Sequence, residues 1–160
     1  MSKKIIVNVS DAKVSNNSED VLTTYSLGSC IGVSLYDPSA CIGGMLHYQL
    51  PESSIDTQRA SESPFMFADT GMEILVNKIL SMGANKTRIK VKIAGGAAMT
   101  NGPAGFDIGK RNYLALRKVL WQIGMIINSA DVGGSSPRTL YLKMADGTVT
   151  VKSTNYEKDL

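Results

Sequence analysis

Residues 28–47 read GSCIGVSLYDPSACIGGMLH, and this stretch predicts two strands joined by a turn. Residues 31–36 alternate apolar and small side chains, and residues 41–46 form a second short apolar segment. The sequence at residues 37–39, Asp-Pro-Ser, is typical of a turn, because proline fixes φ and aspartate bonds its own backbone. Antiparallel pairing of the two segments would return the chain toward residue 28.

The predicted hairpin brings two reactive residue types to one of its ends. Cys30 stands at the entry of the first strand and His47 at the exit of the second, so they are predicted to lie side by side, as a nucleophile and its base must. Gly28 and Gly32 flank the cysteine, which permits a tight turn and leaves backbone N–H groups free to receive an oxyanion. The pattern is a cysteine counterpart of the G-x-S-x-G elbow. A strand rather than a helix follows it, so the α/β-hydrolase fold is not implied.

The counts of the rarest residue types exclude several kinds of functional site. The chain holds one histidine and two cysteines, which excludes sites built from several imidazoles, a CxxC redox pair and a four-thiolate zinc site. Any imidazole chemistry therefore belongs to His47, and no metal or organic cofactor is expected. Cys41 stands between Ala40 and Ile42 and is predicted to be a buried core residue.

Length and charge set the class of protein. With 160 residues, 43% of them hydrophobic and 19% charged, the chain is predicted to fold as a single domain over residues 1–160. The net charge of +3 comes from 17 basic residues scattered among 14 acidic ones, so no nucleic-acid groove is expected. The apolar run after the first four residues is too short for a signal peptide, and none approaches the roughly 18 residues of a membrane span. We therefore expect a soluble, cytoplasmic protein that is not inserted in a membrane.

The remaining pattern predicts a mixed chain of strands and two main helices, hence an α+β fold. Apolar spacing predicts helices over residues 68–82 and 110–123, each followed by a glycine. Residues 51–64 are polar and without apolar period, which predicts a mobile loop beside the site, and a glycine-containing loop is predicted from residue 95 to 109. Further strands are predicted at residues 5–9, 21–27, 88–94, 125–131, 139–144 and 148–152.

Six short blocks, in order along nearly the whole chain, resemble the chemoreceptor glutamine deamidase family, CheD. The blocks are residues 22–33 (LTTYSLGSCIGV), 43–51 (GGMLHYQLP), 67–70 (FADT), 92–97 (KIAGGA), 108–112 (IGKRN) and 131–134 (DVGG). Six ordered blocks are far more specific than the glycine-flanked cysteine alone. The resemblance implies a layered α/β/β/α-type sandwich of the cysteine hydrolase kind, similar also to bacterial toxin deamidases.

The same resemblance implies a Cys-His-Thr triad. Its members would be Cys30 as nucleophile, His47 as base and Thr24 as the residue that orients the imidazole. Thr23 is adjacent to Thr24, but Thr24 is separated from Cys30 by an even number of residues and would project to the same face of a regular strand. Backbone groups of Gly28, Ser29 and Cys30 would position the site and stabilise the oxyanion.

The function that follows from the resemblance is hydrolysis of glutamine side chains on methyl-accepting chemotaxis receptors to glutamate and ammonia. A glutamate methyl ester would react by the same route, with methanol leaving. In many species the phosphatase CheC is a second partner of the family. The family commonly has two arginines after the last block, whereas here only Arg138 follows, which bears on partner contacts and not on the triad.

Two other readings of the chain stay open at this point. It could be a largely non-catalytic binding protein that regulates receptors or the phosphatase, and the discriminating observation is whether Cys30→Ala abolishes only turnover or also association. It could instead be a thiol redox protein, although the spacing of Cys30 and Cys41 is unsuited to that role.

Overall fold

The computed structural model describes residues 2–98 and 107–160, and within them it contains ten strands, three α-helices and two 3₁₀ helices. The strands are β1 (Lys3–Ile6), β2 (Asp11–Ser15), β3 (Asp20–Leu27), β4 (Ile31–Asp37), β5 (Ile42–Tyr48), β6 (Lys90–Gly95), β7 (Ser129–Val132), β8 (Arg138–Lys143), β9 (Val149–Lys152) and β10 (Glu157–Asp159). The helices are α1 (Thr57–Glu62), α2 (Ala68–Ser81) and α3 (Ile108–Ile123), with 3₁₀ helices at Ser53–Ile55 and Pro64–Met66.

The strands form two sheets of five. The first has the order β1-β3-β8-β9-β10 and the second the order β2-β5-β4-β6-β7. The predicted hairpin is confirmed, because β4 and β5 pair antiparallel from Ile31 opposite Tyr48 to Asp37 opposite Ile42. Its turn is held by the Asp37 carboxylate, which accepts the backbone N–H groups of Ser39 and Ala40.

Strand alternation on the second sheet divides the core into two parts. On β4, Ile31, Val33 and Leu35 pack against α2 and α3, whereas Tyr36 faces the first sheet. The larger cluster therefore lies between the second sheet and the helices, and the smaller one lies between the two sheets. His47 is on the sheet-facing side of β5, because it is paired with Gly32 and alternates with Leu46, which belongs to the helix-side cluster.

The predicted α+β sandwich is confirmed, and three of its four expected layers are seen: sheet, sheet and helices. In the described part of the chain, α2 and α3 both cover the second sheet. On the first sheet, Lys4, Tyr25 and Lys143 are exposed, so these positions are not covered by a helical layer. Among residues 2–98 and 107–160, the structure shows no helix long and apolar enough to cross a membrane.

The two main helices and the central strands form close to where the sequence predicts them. The N-terminus of α3 is two residues earlier than predicted, because the Asp107 carboxylate caps it by accepting the N–H of Lys110. Gly124 ends this helix at φ 75°, a left-handed conformation that glycine adopts without strain. Residues 99–106 of the predicted glycine-containing loop lie outside the described residues.

Three predictions are wrong. Residues 51–64 are not an irregular loop: they include a 3₁₀ helix and α1, whose N-cap Asp56 accepts the N–H of Arg59. Cys41 is exposed rather than buried, because it sits in the β4–β5 turn at φ 54°. The strand predicted at 125–131 begins only at Ser129.

Two strands were not anticipated, and both are edge strands with a weak apolar pattern. β2 contains only two apolar residues, Ala12 and Val14, and pairs on one side alone. Every residue of β10 is exposed. A strand that buries little surface leaves little pattern in the sequence, so neither could be found from periodicity.

Candidate active site

Cys30 lies in the three-residue segment 28–30 that carries the chain from one sheet to the other. β3 ends at Leu27 in the first sheet, and β4 begins at Ile31 in the second. The Cys30 side chain is partly buried and packs against the cluster between the sheets. The nucleophile predicted from the sequence is therefore at the sandwich interface, in a connecting segment rather than within a strand.

All three carbonyl groups of this segment are held by hydrogen bonds. The backbone N–H of Ala97 donates to Gly28 O (2.8 Å), and the N–H of Gly96 donates to Cys30 O (2.9 Å). The carbonyl between them, on Ser29, accepts from the side-chain Nδ2 of Asn112 at 2.9 Å. The segment is thus fixed by the chain following β6 and by a side chain from α3.

These bonds set the direction of the amide groups around the cysteine. In a trans peptide the C=O and N–H point in opposite directions, so anchoring Gly28 O turns the Ser29 N–H to the other side, and anchoring Ser29 O does the same for the Cys30 N–H. Among the described residues, the Ser29 N–H has no backbone or side-chain acceptor and the Cys30 N–H is directed only at its own sulfur, whereas the Gly28 N–H donates to Ser26 O at 3.1 Å. Two oriented amide donors therefore remain beside the thiol. Gly28 helps to position the segment, but its own N–H is already used.

Glycines at the end of β6 and in the first turn of α3 permit this close approach. A Cβ atom on Gly95 would lie 2.1 Å from Cys30 O, and one on Gly109 would lie 2.5 Å from the carbonyl oxygens of Gly96 and Ala97. Gly95 also has φ 115°, which L side chains rarely adopt. The Gly95-Gly96 pair and Gly109 are therefore required so that β6, α3 and the cysteine segment can meet.

His47 is fully buried on β5 and is fixed by a residue from the other sheet. Its Nδ1 lies 2.7 Å from Thr24 Oγ1, and the same hydroxyl lies 2.7 Å from the carbonyl oxygen of Val7. A carbonyl can only accept, so the threonine hydrogen goes to Val7 O and Oγ1 must accept a hydrogen from Nδ1. The arrangement selects the imidazole tautomer that carries its proton on Nδ1.

This tautomer leaves Nε2 as the basic nitrogen of His47. Nε2 is buried and has no hydrogen-bond partner among the described residues. Burial lowers the pKa of His47 to about 4, so the ring is neutral at pH 7. A buried acceptor without a partner is costly, which is a common mark of a site held ready for a substrate or a proton.

Burial also raises the pKa of the Cys30 thiol, and its own backbone N–H offsets this only in part. At pH 7 the two pKa shifts favour a neutral thiol and a neutral imidazole over a thiolate–imidazolium pair. Gly32 is opposite His47 in the β4–β5 register, and Cys30 is two residues before Gly32, which places thiol and imidazole in diagonal positions at the end of the hairpin. The two side chains are not hydrogen bonded to one another.

The structure thus brings Thr24 to His47 and places Cys30 beside the same end of the hairpin. The hydroxyl of Thr23, the neighbouring candidate, donates to Val21 O at 3.3 Å and does not reach His47. Gly32 has a different use from the one predicted, since a Cβ there would lie 3.3 Å from Thr24 Cγ2 and 2.9 Å from Leu27 Cδ1. Its lack of a side chain lets the two sheets meet next to the imidazole.

Asn112 also belongs to the site, although the sequence did not predict a role for it. It is fully buried on α3, and besides Ser29 O its Nδ2 donates to Gln49 O at 2.9 Å, two residues after His47. Its backbone carbonyl accepts the Tyr48 hydroxyl at 2.6 Å. The side-chain amide of Asn112 therefore connects Gln49, just after β5, with Ser29, the residue before Cys30. The available signal in the sequence was an asparagine within a predicted amphipathic helix. Asn112 was noted only as part of the block at residues 108–112 (IGKRN), with no role of its own.

Arg138 is the one arginine that follows the last family block, where the family commonly has two. Its side chain is buried and supports the fold. It pairs with Asp131 at 3.1 Å and donates to Gly95 O at 3.2 Å, so it fixes the end of β6 rather than facing a partner. Among the residues that the structure describes, no group of three or more His, Cys, Asp and Glu side chains could hold a metal ion.

Comparisons with known proteins agree on one family. The family model described as CheD chemotactic sensory transduction matches residues 49–153. A relative from Solibacter usitatus named "Probable chemoreceptor glutamine deamidase CheD" is 51% identical over 158 residues, which cover 99% of this chain and 94% of the relative. A relative of the same kind from Syntrophus aciditrophicus is 46% identical over 93% of each chain.

The likeness extends to distant organisms. A Pyrococcus abyssi protein named "Probable chemoreceptor glutamine deamidase CheD" is 35% identical over 95% of this chain and 93% of its own length. These full-length matches include the segments that carry Thr24, Cys30 and His47, which precede the region matched by the family model. The chain therefore belongs to the CheD family, whose relatives described above are named probable chemoreceptor glutamine deamidases.

Proposed function

We propose that the protein hydrolyses glutamine side chains of chemoreceptors to glutamate and ammonia, with Cys30 as nucleophile and His47 as base. The observation that carries the proposal is the state of His47: a buried, neutral imidazole whose Nδ1 proton is committed to Thr24 and whose Nε2 is free to accept a proton. Only one histidine exists in the chain, so this base has no substitute.

The first half of the reaction releases ammonia. The Cys30 proton moves to His47 Nε2 as Sγ forms a bond to the amide carbon, and the N–H groups of Ser29 and Cys30 stabilise the oxyanion. The C–N bond then breaks, the Nε2 proton goes to the departing nitrogen, and a thioester on Cys30 remains. Proton transfer during attack suits this site, because the resting thiol and imidazole are both neutral.

The second half releases glutamate. Water gives a proton to Nε2 and attacks the thioester carbon, and the C–S bond breaks as the proton passes to the sulfur. The sum is amide plus water giving carboxylic acid plus ammonia, with Cys30 and His47 restored. A glutamate methyl ester would follow the same steps with methanol leaving, and we propose this as a second activity of the same site.

The deciding experiment is incubation with a purified chemoreceptor cytoplasmic fragment, followed by peptide mass spectrometry. Wild type should convert particular glutamines to glutamates, and Cys30→Ala should not. Undiminished conversion by Cys30→Ala would refute the mechanism. If wild type itself converts nothing but still binds the fragment, the binding-protein alternative is correct. The partnership with CheC stays a prediction, which co-purification of the two proteins tests.

A further inference from the structure

One side of α3 is exposed and carries only basic and apolar residues. The helix contains four basic residues and no acidic one between Ile108 and Ile123. Lys110, Leu114, Arg117 and Trp121 recur at spacings of four, three and four, so they form one stripe along the helix. Leu114 is 48% exposed and Trp121 81% exposed, which is unusual for side chains of this size.

A groove follows this stripe on the side of β7. It has a volume of about 560 Å³ and is lined by Arg117, Trp121, Ile126 and their neighbours in α3 and residues 125–130. Ile126 is 72% exposed, so the groove has a second apolar wall open to solvent. Tyr113 lines both this groove and a further cavity of about 220 Å³ that includes Gly96.

The smaller cavity reaches the backbone that holds the Cys30 segment in place. Gly96, which lines the smaller cavity, is the residue whose N–H holds Cys30 O at 2.9 Å. Lys110 lines the same cavity, and from Lys110 to Trp121 the helix extends about 16 Å, which equals three turns. A bound segment lying along α3 would therefore span the distance between the exposed tryptophan and the edge of the site.

The charges along α3 and the groove indicate which class of partner could bind there. No acidic side chain lines the larger groove, and the one that lines the smaller cavity, Asp107, caps α3 by accepting the N–H of Lys110. Asp131, near its β7 wall, is already paired with Arg138 at 3.1 Å and with Lys158 at 3.6 Å. Arg117 lies 5.8 Å from the Tyr113 ring centroid and stays exposed, so its charge is presented beside the apolar walls. A basic, apolar surface of this length complements a helix with acidic and apolar residues on one side.

We propose that this surface, formed by the outer side of α3 and the adjoining groove, docks an acidic amphipathic helix of the protein substrate and leads it toward Cys30. The inference rests on the proposed function, because it assigns a substrate-binding role beyond the catalytic residues. Affinity would come from burial of Trp121, Leu114 and Ile126. The basic residues would set the orientation and raise the association rate.

Trp121 is the only tryptophan in the chain, so its fluorescence reports on this surface alone. The probe is a synthetic amphipathic peptide of about 20 residues with leucine on one side, glutamate beside it, and no tryptophan or glutamine. We expect a saturable blue shift that weakens as salt rises, and about tenfold weaker binding to Arg117→Glu. Lys78→Glu on exposed α2 makes the same charge change away from the surface and should bind like wild type.

An unchanged Trp121 emission, or equal weakening by Arg117→Glu and Lys78→Glu, would overturn the docking surface. Because this peptide cannot be deamidated, that result is separate from any failure of the proposed function. With the receptor fragment as substrate, Arg117→Glu should raise KM about tenfold and leave kcat unchanged, whereas a short glutamine peptide should be processed as by wild type. A fall in kcat on both substrates would contradict the docking role.

Discussion

The Oγ1 of Thr24 accepts the Nδ1 proton of His47 at 2.7 Å across the interface between the two sheets. The contact determines which nitrogen of the only imidazole is basic, and the Val7 carbonyl, 2.7 Å from the same oxygen, determines the direction of the bond. The orientation of the proposed base therefore depends on a residue in the opposite sheet.

Replacing Thr24 with valine should lower kcat about 10- to 100-fold, because the Nδ1 proton loses its acceptor and the tautomer is no longer fixed. The free energy of unfolding should fall by about 1 to 3 kcal/mol, since Val7 O and Nδ1 would be left buried without partners. Deamidation rates and urea unfolding measure the two effects. Thr24→Ser, which keeps the hydroxyl, should recover most of both.

The matched control is Thr23→Val. Thr23 is equally buried and adjacent, but its hydroxyl donates to Val21 O and not to the imidazole. Its kcat should stay within about twofold of wild type. If Thr23→Val and Thr24→Val lost the same activity, the orienting role of Thr24 would be wrong.

Asn112→Asp should lower kcat about 10- to 100-fold with little change in KM, because a carboxylate cannot donate to Ser29 O and the Cys30 N–H loses its direction. The readout that separates positioning from general damage is alkylation of Cys30 by iodoacetamide. That reaction forms no oxyanion and should keep its wild-type rate. Parallel losses of alkylation and turnover would instead indicate that the variant has simply disordered the segment.

Acid should destabilise the protein through His47. The pKa of His47 is about 4 when folded and about 6.5 when unfolded, so between these values the unfolded chain binds more protons and stability falls as pH drops. At pH 5 this loss is about 2 kcal/mol relative to neutral pH. Urea unfolding at both pH values measures the free energy of unfolding of wild type and of His47→Asn. Between neutral pH and pH 5 the variant should lose less of this free energy than wild type, by about that amount. Equal losses in the two proteins would contradict a buried, neutral imidazole.

The Cys30 thiol should titrate above the free-cysteine value of about 8.5, because burial raises its pKa. The measurement is the iodoacetamide alkylation rate against pH in a Cys41→Ser background, which removes the exposed second thiol. The Cys30→Ser protein gives the rate of Cys41 alone. A midpoint below 8.5 would mean that the resting enzyme already holds a thiolate, and the proton transfer proposed for the attack would be wrong.

The sequence predicted the hairpin well, because Asp37 and Pro38 form a strong local turn and the pairing that follows is short-range. It predicted Thr24 for a reason that does not hold in the structure. Ser26 has φ 59° and residues 28–30 lie between sheets, so side-chain alternation does not run from Thr24 to Cys30. The resemblance to the family identified Thr24, and the contact itself is a long-range one between sheets.

The role of Asn112 is the clearest example of a feature that sequence patterns could not predict. Its partners, Ser29 O and Gln49 O, are backbone atoms more than sixty residues away, and no side-chain type at those positions encodes the bond. Cys41 shows the opposite error, since apolar neighbours suggested burial while the turn geometry exposed it. Local chemistry predicted the elements, but packing between them determined which polar groups complete the site.

The most direct test of the central claim is rapid acid quenching of the enzyme during turnover of a glutamine peptide, followed by mass spectrometry of the fragment that contains Cys30. The account predicts a covalent adduct on Cys30 with the mass of the peptide less ammonia, absent from Cys30→Ala and from His47→Asn. Turnover of the peptide without any adduct, and undiminished in Cys30→Ala, would contradict it.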